Sequence, residues 1–491
     1  MDRRHFIQSA AALGASSMLP LPFSISTANA GGLLAPAANP SGYKALVCVF
    51  LFGGNDSHNM VVPYGASDYN AYSLARGGLA EANGLALPYA DLKLLSSANL
   101  AANTLALHPA MANLQSLFSA NKLAIVANSA PLLAPTTLAQ YQARSVPLPP
   151  QLFSHSDMQM HWQTMRPDVP ADTGWGGRMA DVFRAAAPGQ LPVTIGMGSG
   201  GAFMKGDIVS PYNAVPVRYS GGAIDPRSSI ARTPNAWSSW DATANSQGVF
   251  KENYFAVRPN LLEQQFAAMT RSSLEVGEFV KSVMYNVDAS GNYSFKTPVP
   301  GTWPTTNPLA AQLHAVAAMM GARQNLGVSR QVFFVTLGGF DNHGDQFGNT
   351  GSSKTLLSGK HYALMAYLDQ ALSTFYNATA SMGISDSVTT MTMSDFGRTM
   401  KSNGQGSDHG WGGHQLVLGG QVNGGRVYGR FPFSGLMPQL DVGEGRLLPE
   451  IAADVYTARL AQWFGADAAD LAAIFPNLSR FDQSPLATLM A

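Results

Sequence analysis

The residues best suited to chemistry fall in short polar groups. Three lie in the C-terminal third: Phe340-Asp341-Asn342-His343-Gly344-Asp345, Ser394-Asp395-Phe396-Gly397-Arg398-Thr399, and Asp408-His409-Gly410 with His414 five residues after His409. A fourth, Gly53-Gly54-Asn55-Asp56-Ser57-His58, lies near the start. Carboxylates beside imidazoles offer the mixture of oxygen and nitrogen donors that divalent metals take. Asp56, Asp341 and Asp395 each follow an apolar, β-rich run. In open α/β sheets, ligands bind beyond the carboxyl ends of strands. The pattern points to a metal-dependent enzyme, or the descendant of one. The plainer reading is that each aspartate caps a turn or helix. His343, two residues after Asp341, can turn inwards with it on a loop. His409 and His414 sit in a glycine-dense stretch, where backbone can approach a metal closely. His414 could instead open the next strand and only hydrogen-bond. Asp408 is placed to orient a ligating histidine.

Ester hydrolysis also needs a nucleophile, and Phe153-Ser154-His155-Ser156-Asp157 supplies the candidate. Ser154 at a helix N-terminus would face amide groups that favour an anion; the alternative is a simple N-cap. Arg178, and Asn55 beside Asp56, are candidates for holding an anionic substrate. A surface arginine and a turn-forming asparagine are the alternatives. His108 reads as a turn residue, His161 and His314 as core or surface residues in helical patterns, and His361 as the start of a helix.

The elements that must position these groups are legible as apolar runs. Ala45–Phe52, Leu123–Ala127, Leu191–Ile195, Val332–Leu337 and Val388–Met393 read as strands, with Gln415–Leu418 and Arg426–Tyr428 as shorter ones. The first is apolar on both faces, as in the middle of a parallel sheet. Helical patterns cover Met111–Ser119, Phe153–Arg166, Gly177–Ala187, Leu261–Val283, Leu309–Leu326, His361–Ala380 and Leu448–Phe464. Alternating strands and helices imply a mixed or parallel α/β sheet with helices on both faces. Residues 197–305, rich in Gly, Pro, Asn, Ser and aromatics, read as an insertion or cap.

The chain has 491 residues, and only 12% are charged, about half the usual share. Lys+Arg and Asp+Glu number 30 each, and no basic run marks a nucleic-acid partner. Residues 1–30 read as a targeting segment, with Arg3-Arg4 ahead of a weakly apolar stretch and Ala28-Asn29-Ala30 as the cleavage site. The paired arginines predict export in the folded state by the twin-arginine translocase, to the periplasm or beyond; an ordinary secretory signal is the alternative. The apolar stretch is too short and too rich in Ser, Gly and Pro for a membrane anchor. Cleavage after Ala30 removes two arginines and one aspartate, leaving 28 basic against 29 acidic groups. Residues 31–42 read as a linker and 43–491 as the folded domain. The single cysteine, Cys48, lies inside the first strand and is expected to be an inert core residue.

Taken together, Arg3-Arg4, Gly53–Asp56, Ser154-His155, Gly339–His343, Ser394–Thr399, Asp408–Gly410 and Phe475-Pro476-Asn477-Leu478 resemble an exported bacterial family known as domain of unknown function 1501. The resemblance spans roughly residues 43–480. That family is similar in fold to the alkaline phosphatase and sulfatase superfamily. The resemblance implies a three-layer α/β/α sandwich with a mostly parallel sheet, a cap, and one or two divalent ions (Zn, Mn, Ca or Mg). It implies metal ligation by Asp56, Asp341, His343, Asp395 and His409, and Ser154 as nucleophile on an anionic ester. Two departures stand out. Phe396 replaces the histidine that alkaline phosphatases place after the second aspartate, and Asp345 stands where they carry a histidine after the first. The cysteine motif of ordinary sulfatases is absent. The expectation is an exported metal-dependent hydrolase of phosphate or related anionic esters. The rival is a secreted binding or assembly protein that kept the scaffold and lost turnover.

Overall fold

The computed structural model describes residues 42–101, 104–187, 191–198, 201–214, 217–218, 224–225, 260–287, 293–433, 435 and 437–491. The expected targeting segment and nearly all of the linker lie outside them.

A nine-stranded sheet forms the centre. Its strands are β1 (Lys44–Phe52), β2 (Leu123–Ala130), β3 (Thr194–Met197), β4 (Tyr212–Ala214), β5 (Arg330–Gly338), β6 (Val388–Ser394), β7 (Gly413–Gly419), β8 (Val427–Tyr428) and β9 (Ile451–Ala452). The order is β8-β2-β7-β6-β1-β5-β3-β4, with β9 also pairing β2. β1 pairs in parallel with both β5 and β6. β7 alone runs against its neighbours, β6 and β2. The reason is local: between β6 and β7 the chain makes only a small hairpin, Arg398–Ser402 with Ser407–His409. A parallel return would need a longer crossover.

β1 lacks polar alternation because both its faces are covered. Ala45, Val47, Val49 and Leu51 join a core with helices Pro308–Gly321 and Lys360–Ser381 through Leu313, Val316, Leu368 and Phe375. On the other face Phe50 lies 6.0 Å from Phe334, which stacks at 4.9 Å on Phe203. Helix Ala453–Phe464 covers that face, and its Tyr456 hydroxyl donates to Thr392 O at 3.2 Å. The result is the expected three-layer α/β/α arrangement. Each large apolar side chain taken fully out of water contributes about 1.5–3 kcal/mol. Cys48 is free and buried, and burial pushes its thiol up.

Helix Pro308–Gly321 starts where the sequence dictates. Asn307 Oδ1 accepts from Leu309 N and Ala310 N, both at 3.1 Å, and Pro308 fills the first turn. Within the expected insertion, Tyr212–Ala214 adds an edge strand and Leu261–Met284 forms a long helix; residues 226–259 lie outside the described set. No described helix is long and apolar enough to cross a membrane.

The topology has one functional consequence. β6, β1 and β5 are adjacent and parallel, so the segments after Phe52, Gly338 and Ser394 emerge side by side at one sheet edge.

Candidate metal centre

Four side chains converge at that edge: His155, Asp341, His343 and His409, each with one ligand atom within 4.8 Å of the others. Asp341 and His343 come from the loop after β5. His409 ends the hairpin between β6 and β7. His155 is the first residue of helix His155–Thr164. Asp341 Oδ1 lies 3.1 Å from His343 Nε2, 3.5 Å from His155 Nε2 and 3.8 Å from His409 Nε2.

Each ring is held from behind. His155 Nδ1 is 2.8 Å from Asp395 Oδ2, His343 Nδ1 is 3.0 Å from Asp408 Oδ1, and His409 Nδ1 is 2.6 Å from Phe153 O. All three partners are acceptors, so the neutral ring carries its proton on Nδ1 and turns the Nε2 lone pair to the centre. This is how ligating histidines are usually oriented. His155 Nε2 and His409 Nε2 are buried with no hydrogen-bond partner among the described residues. Such an orphaned pair of acceptors is costly unless something electrophilic meets it. Phe153, whose carbonyl fixes His409, has a left-handed φ of 71°, a conformation that non-glycine residues adopt at a cost and that clusters at functional sites.

The electrostatics fit that arrangement. The Asp395 hydrogen bond raises the His155 pKa against the opposing effect of burial. Burial lowers His409, partly offset by its bond to Phe153 O. Partial burial pushes the Asp341 carboxyl up, but the Arg398 guanidinium and nearby histidines bring it below the ordinary value. Asp408 follows the same pattern: burial raises it, and the Asn403 and His343 bonds bring it net lower.

The other expected site residues lie elsewhere. Asp395 is fully buried beneath His155, accepting from Gly53 N at 3.2 Å and Gln159 Nε2 at 2.8 Å as well as facing His155. Asp56 is buried in an ion pair with Arg76 and accepts from Gln346 Nε2 at 2.5 Å. His414 is a residue of β7, and the strand's pleat buries it. Its Nδ1 accepts from Asn128 N at 3.1 Å, and its ring stacks on Phe431 at 4.7 Å. Asn55 is buried, with Oδ1 3.2 Å from His361 Nε2 and Nδ2 3.4 Å from Met60 Sδ. Arg178 is buried too and spends its guanidinium on backbone carbonyls: Ile474 O at 2.7 Å, Thr164 O at 2.6 Å and Thr173 O at 2.9 Å. Neither Asn55 nor Arg178 faces solvent where a substrate could reach it. Ser154 is the N-cap residue of the His155 helix; its hydroxyl makes no cap bond and donates to Asp157 Oδ2 at 2.6 Å.

Two residues had no assigned role in the sequence. His155 appears in the sequence only as part of the Ser154-His155 motif; nothing in spacing links it to segments so far downstream. Arg398 is fully buried and ties the loops together. Its guanidinium donates to Gly54 O at 2.9 Å, Ser407 O at 2.8 Å, Phe340 O at 3.1 Å, Gly53 O, and Asp341 Oδ1 at 2.7 Å.

The fold and this cluster define an α/β protein whose polar centre stands at the carboxyl ends of adjacent parallel strands. The chain belongs to the family described as "Protein of unknown function (DUF1501)", whose profile matches residues 43–442. Two solved structures are similar to it at a distance. One, from work on the metabolism of multiple glycosaminoglycans by Bacteroides thetaiotaomicron, has 12% identity and a TM-score of 0.30, covering 91% of this chain and 76% of that one. The other, the PsFucS1 sulfatase from Pseudoalteromonas sp., has 10% identity and a TM-score of 0.33, covering 88% and 69%. No curated protein matches the chain.

Proposed function

We propose that this protein is an exported metal-dependent hydrolase of phosphate or related anionic esters. The observation that carries the reading is the convergence of three Nδ1-anchored imidazoles on the half-exposed Asp341 carboxylate. The donor set fits a divalent ion. Ligand arms of ~2.0–2.1 Å in a tetrahedron place donors about 3.3–3.4 Å apart, close to the 3.1, 3.5 and 3.8 Å from Asp341 Oδ1 to the rings. Three nitrogens and one oxygen suit Zn better than Ca or Mg, which prefer oxygen-rich sets. A divalent ion bound there supplies positive charge to the oxygens of an anionic ester.

The chain's own residues supply the rest. His155, His343 and His409 are held by Asp395, Asp408 and Phe153 O, so little reorganisation is needed to bind the ion. Ser154 is the nucleophile in this reading. Its Oγ would attack the ester phosphorus or sulfur while Asp157, already hydrogen-bonded to it, takes the proton. The bond to the ester's alcohol breaks, the alcohol leaves and is protonated, and water then releases phosphate or sulfate from Ser154. The amide groups opening the His155 helix favour the anionic ester beside Ser154. Arg3-Arg4 and Ala28-Asn29-Ala30 support folded-state export to the periplasm or outside. That route suits a centre whose ligands meet only after folding.

The test is turnover of aryl phosphate and aryl sulfate esters by the full chain loaded with Zn or Mn. Ser154→Ala is expected to keep its metal and lose turnover. Metal binding without turnover of either ester class would move the assignment to a secreted binding or assembly protein on the same scaffold. Failure to bind any divalent metal would overturn the reading.

A further inference from the structure

We infer that the centre takes a single ion, and that Asp395 is a positioning residue of His155 rather than a ligand to a second metal. The inference rests on the metal centre proposed above. Three aspartates follow the three adjacent strands, and that pattern alone would suit two ions. The donors around each carboxylate decide otherwise. Asp395 Oδ1 already accepts from Gly53 N at 3.2 Å, and Oδ2 meets both His155 Nδ1 and Gln159 Nε2 at 2.8 Å. A metal on Asp395 would have to displace at least one of these donors from a fully buried carboxylate. Asp56 is buried, and its Oδ2 is taken by Arg76 and Gln346. Of the three strand-end aspartates, only Asp341 presents its carboxylate to the open side.

Two further side chains complete the argument. Arg398 is a permanent cation fixed by four backbone carbonyls and bonded to Asp341 Oδ1 at 2.7 Å. An arginine keeps its charge at any ordinary pH. A second divalent ion next to Asp341 would therefore face an immovable guanidinium. Phe396 closes the other flank. Its ring centroid lies 4.9 Å from that of His155 and 4.6 Å from that of His409, and the ring fills the space a Cβ on Gly54 would need. An apolar ring offers a metal no donor. Among the described residues no second group of three ligating side chains comes together.

Asp395 then acts through His155. Its carboxylate fixes the ring with hydrogen on Nδ1 and the lone pair on Nε2. An asparagine there has one oxygen for donors on two opposing sides, Gly53 N–H on one and His155 with Gln159 on the other. If its amide nitrogen faces the ring, Nδ1 must become the acceptor, and the hydrogen moves to Nε2, where it blocks ligation.

The experiment loads the full chain with zinc alone and measures ions per chain by elemental analysis after dialysis. Affinity is measured by chelator competition, and cobalt(II) substituted for zinc gives a visible spectrum that reports the ligand set. The expected result is one ion per chain in the unaltered protein. Asp395→Asn is expected to keep that stoichiometry, to weaken affinity about 10–100-fold, and to alter the cobalt spectrum as one imidazole is lost. Two ions per chain in the unaltered protein would overturn this inference and leave the proposed centre standing. So would an Asp395→Asn protein with unchanged affinity and spectrum. No ion at all would overturn the proposed centre as well. The stoichiometry of the unaltered chain decides the first point even if the variant fails to fold.

Discussion

Gly53→Ala perturbs the centre through the backbone alone, and its effect can be worked from contacts. Gly53 has φ +112°, and a Cβ there would lie 2.4 Å from Asp341 N and 2.8 Å from Phe340 C. Both are backbone atoms, and neither can retreat without carrying Asp341 with it. Two neighbouring glycines separate strain from collision. Gly339 has φ +103°, but its added Cβ would meet only Leu364 and Lys360 side-chain atoms at 3.6 Å. Gly338 has no unusual φ and nothing within 4 Å. Forcing an alanine into the left-handed region costs about 1–2 kcal/mol. Pressing a methyl into packed backbone adds about 1–3 kcal/mol. Gly338→Ala is therefore expected within about 0.5 kcal/mol of the parent, and Gly339→Ala about 1–2 kcal/mol less stable. Gly53→Ala should lose about 3 kcal/mol and, because Asp341 shifts, zinc affinity should fall about tenfold or more, a loss of about 1.4 kcal/mol. Urea unfolding gives the stabilities and chelator competition the affinities. A Gly53→Ala protein with parental stability and zinc affinity would refute the argument that this close approach positions Asp341.

Three other outcomes follow from the surroundings of the centre. Arg76→Met leaves Asp56 buried without its cation and should cost roughly 3–5 kcal/mol while leaving zinc affinity unchanged; a loss of zinc with stability intact would return Asp56 to the ligand set. Arg178→Met should destabilise the fold by about 2–4 kcal/mol through unpaired carbonyls without changing KM for an anionic ester; a KM effect in a stable variant would contradict its structural role. Burial pushes both His58 and His361 down to about 4 from 6.5. A depressed histidine contributes stability that is full above the unfolded value and is lost as pH falls through the folded one. The unfolding free energy should therefore fall between pH 6.5 and 4, by on the order of 3 kcal/mol per histidine, and a flat profile there would contradict the burial argument.

The sheet was largely readable because its strands are buried on both faces and short turns bound them. The expected strand at Ala45–Phe52 is β1, Val332–Leu337 lies within β5, and Val388–Met393 lies within β6. Leu191–Ile195 lies a few residues early: the strand is Thr194–Met197, of which Thr194–Gly196 pair with β5. The last long helix begins at Ala453 rather than Leu448, because Ile451-Ala452 is used as a strand against β2. The position of Asp341 and Asp395 at strand ends was legible, but what each does there was not. An aspartate after a strand looks the same in sequence whether it faces solvent, as Asp341 does, or lies under a histidine, as Asp395 does. His414 shows the limit of a glycine-dense loop as a signal. The loop ends two residues earlier than it seems, and β7 carries the imidazole into the core beside His58. His155 stands out in the sequence only as half of the Ser154-His155 motif, because convergence across a fold leaves no spacing to read.

The most direct test of the central claim is anomalous diffraction at the zinc edge from crystals of the zinc-loaded protein. The account expects one peak bounded by His155 Nε2, His343 Nε2, His409 Nε2 and Asp341 Oδ1, each at about 2.0–2.2 Å. A peak at Asp56 or His414, or none within bonding reach of the three anchored imidazoles, would contradict it.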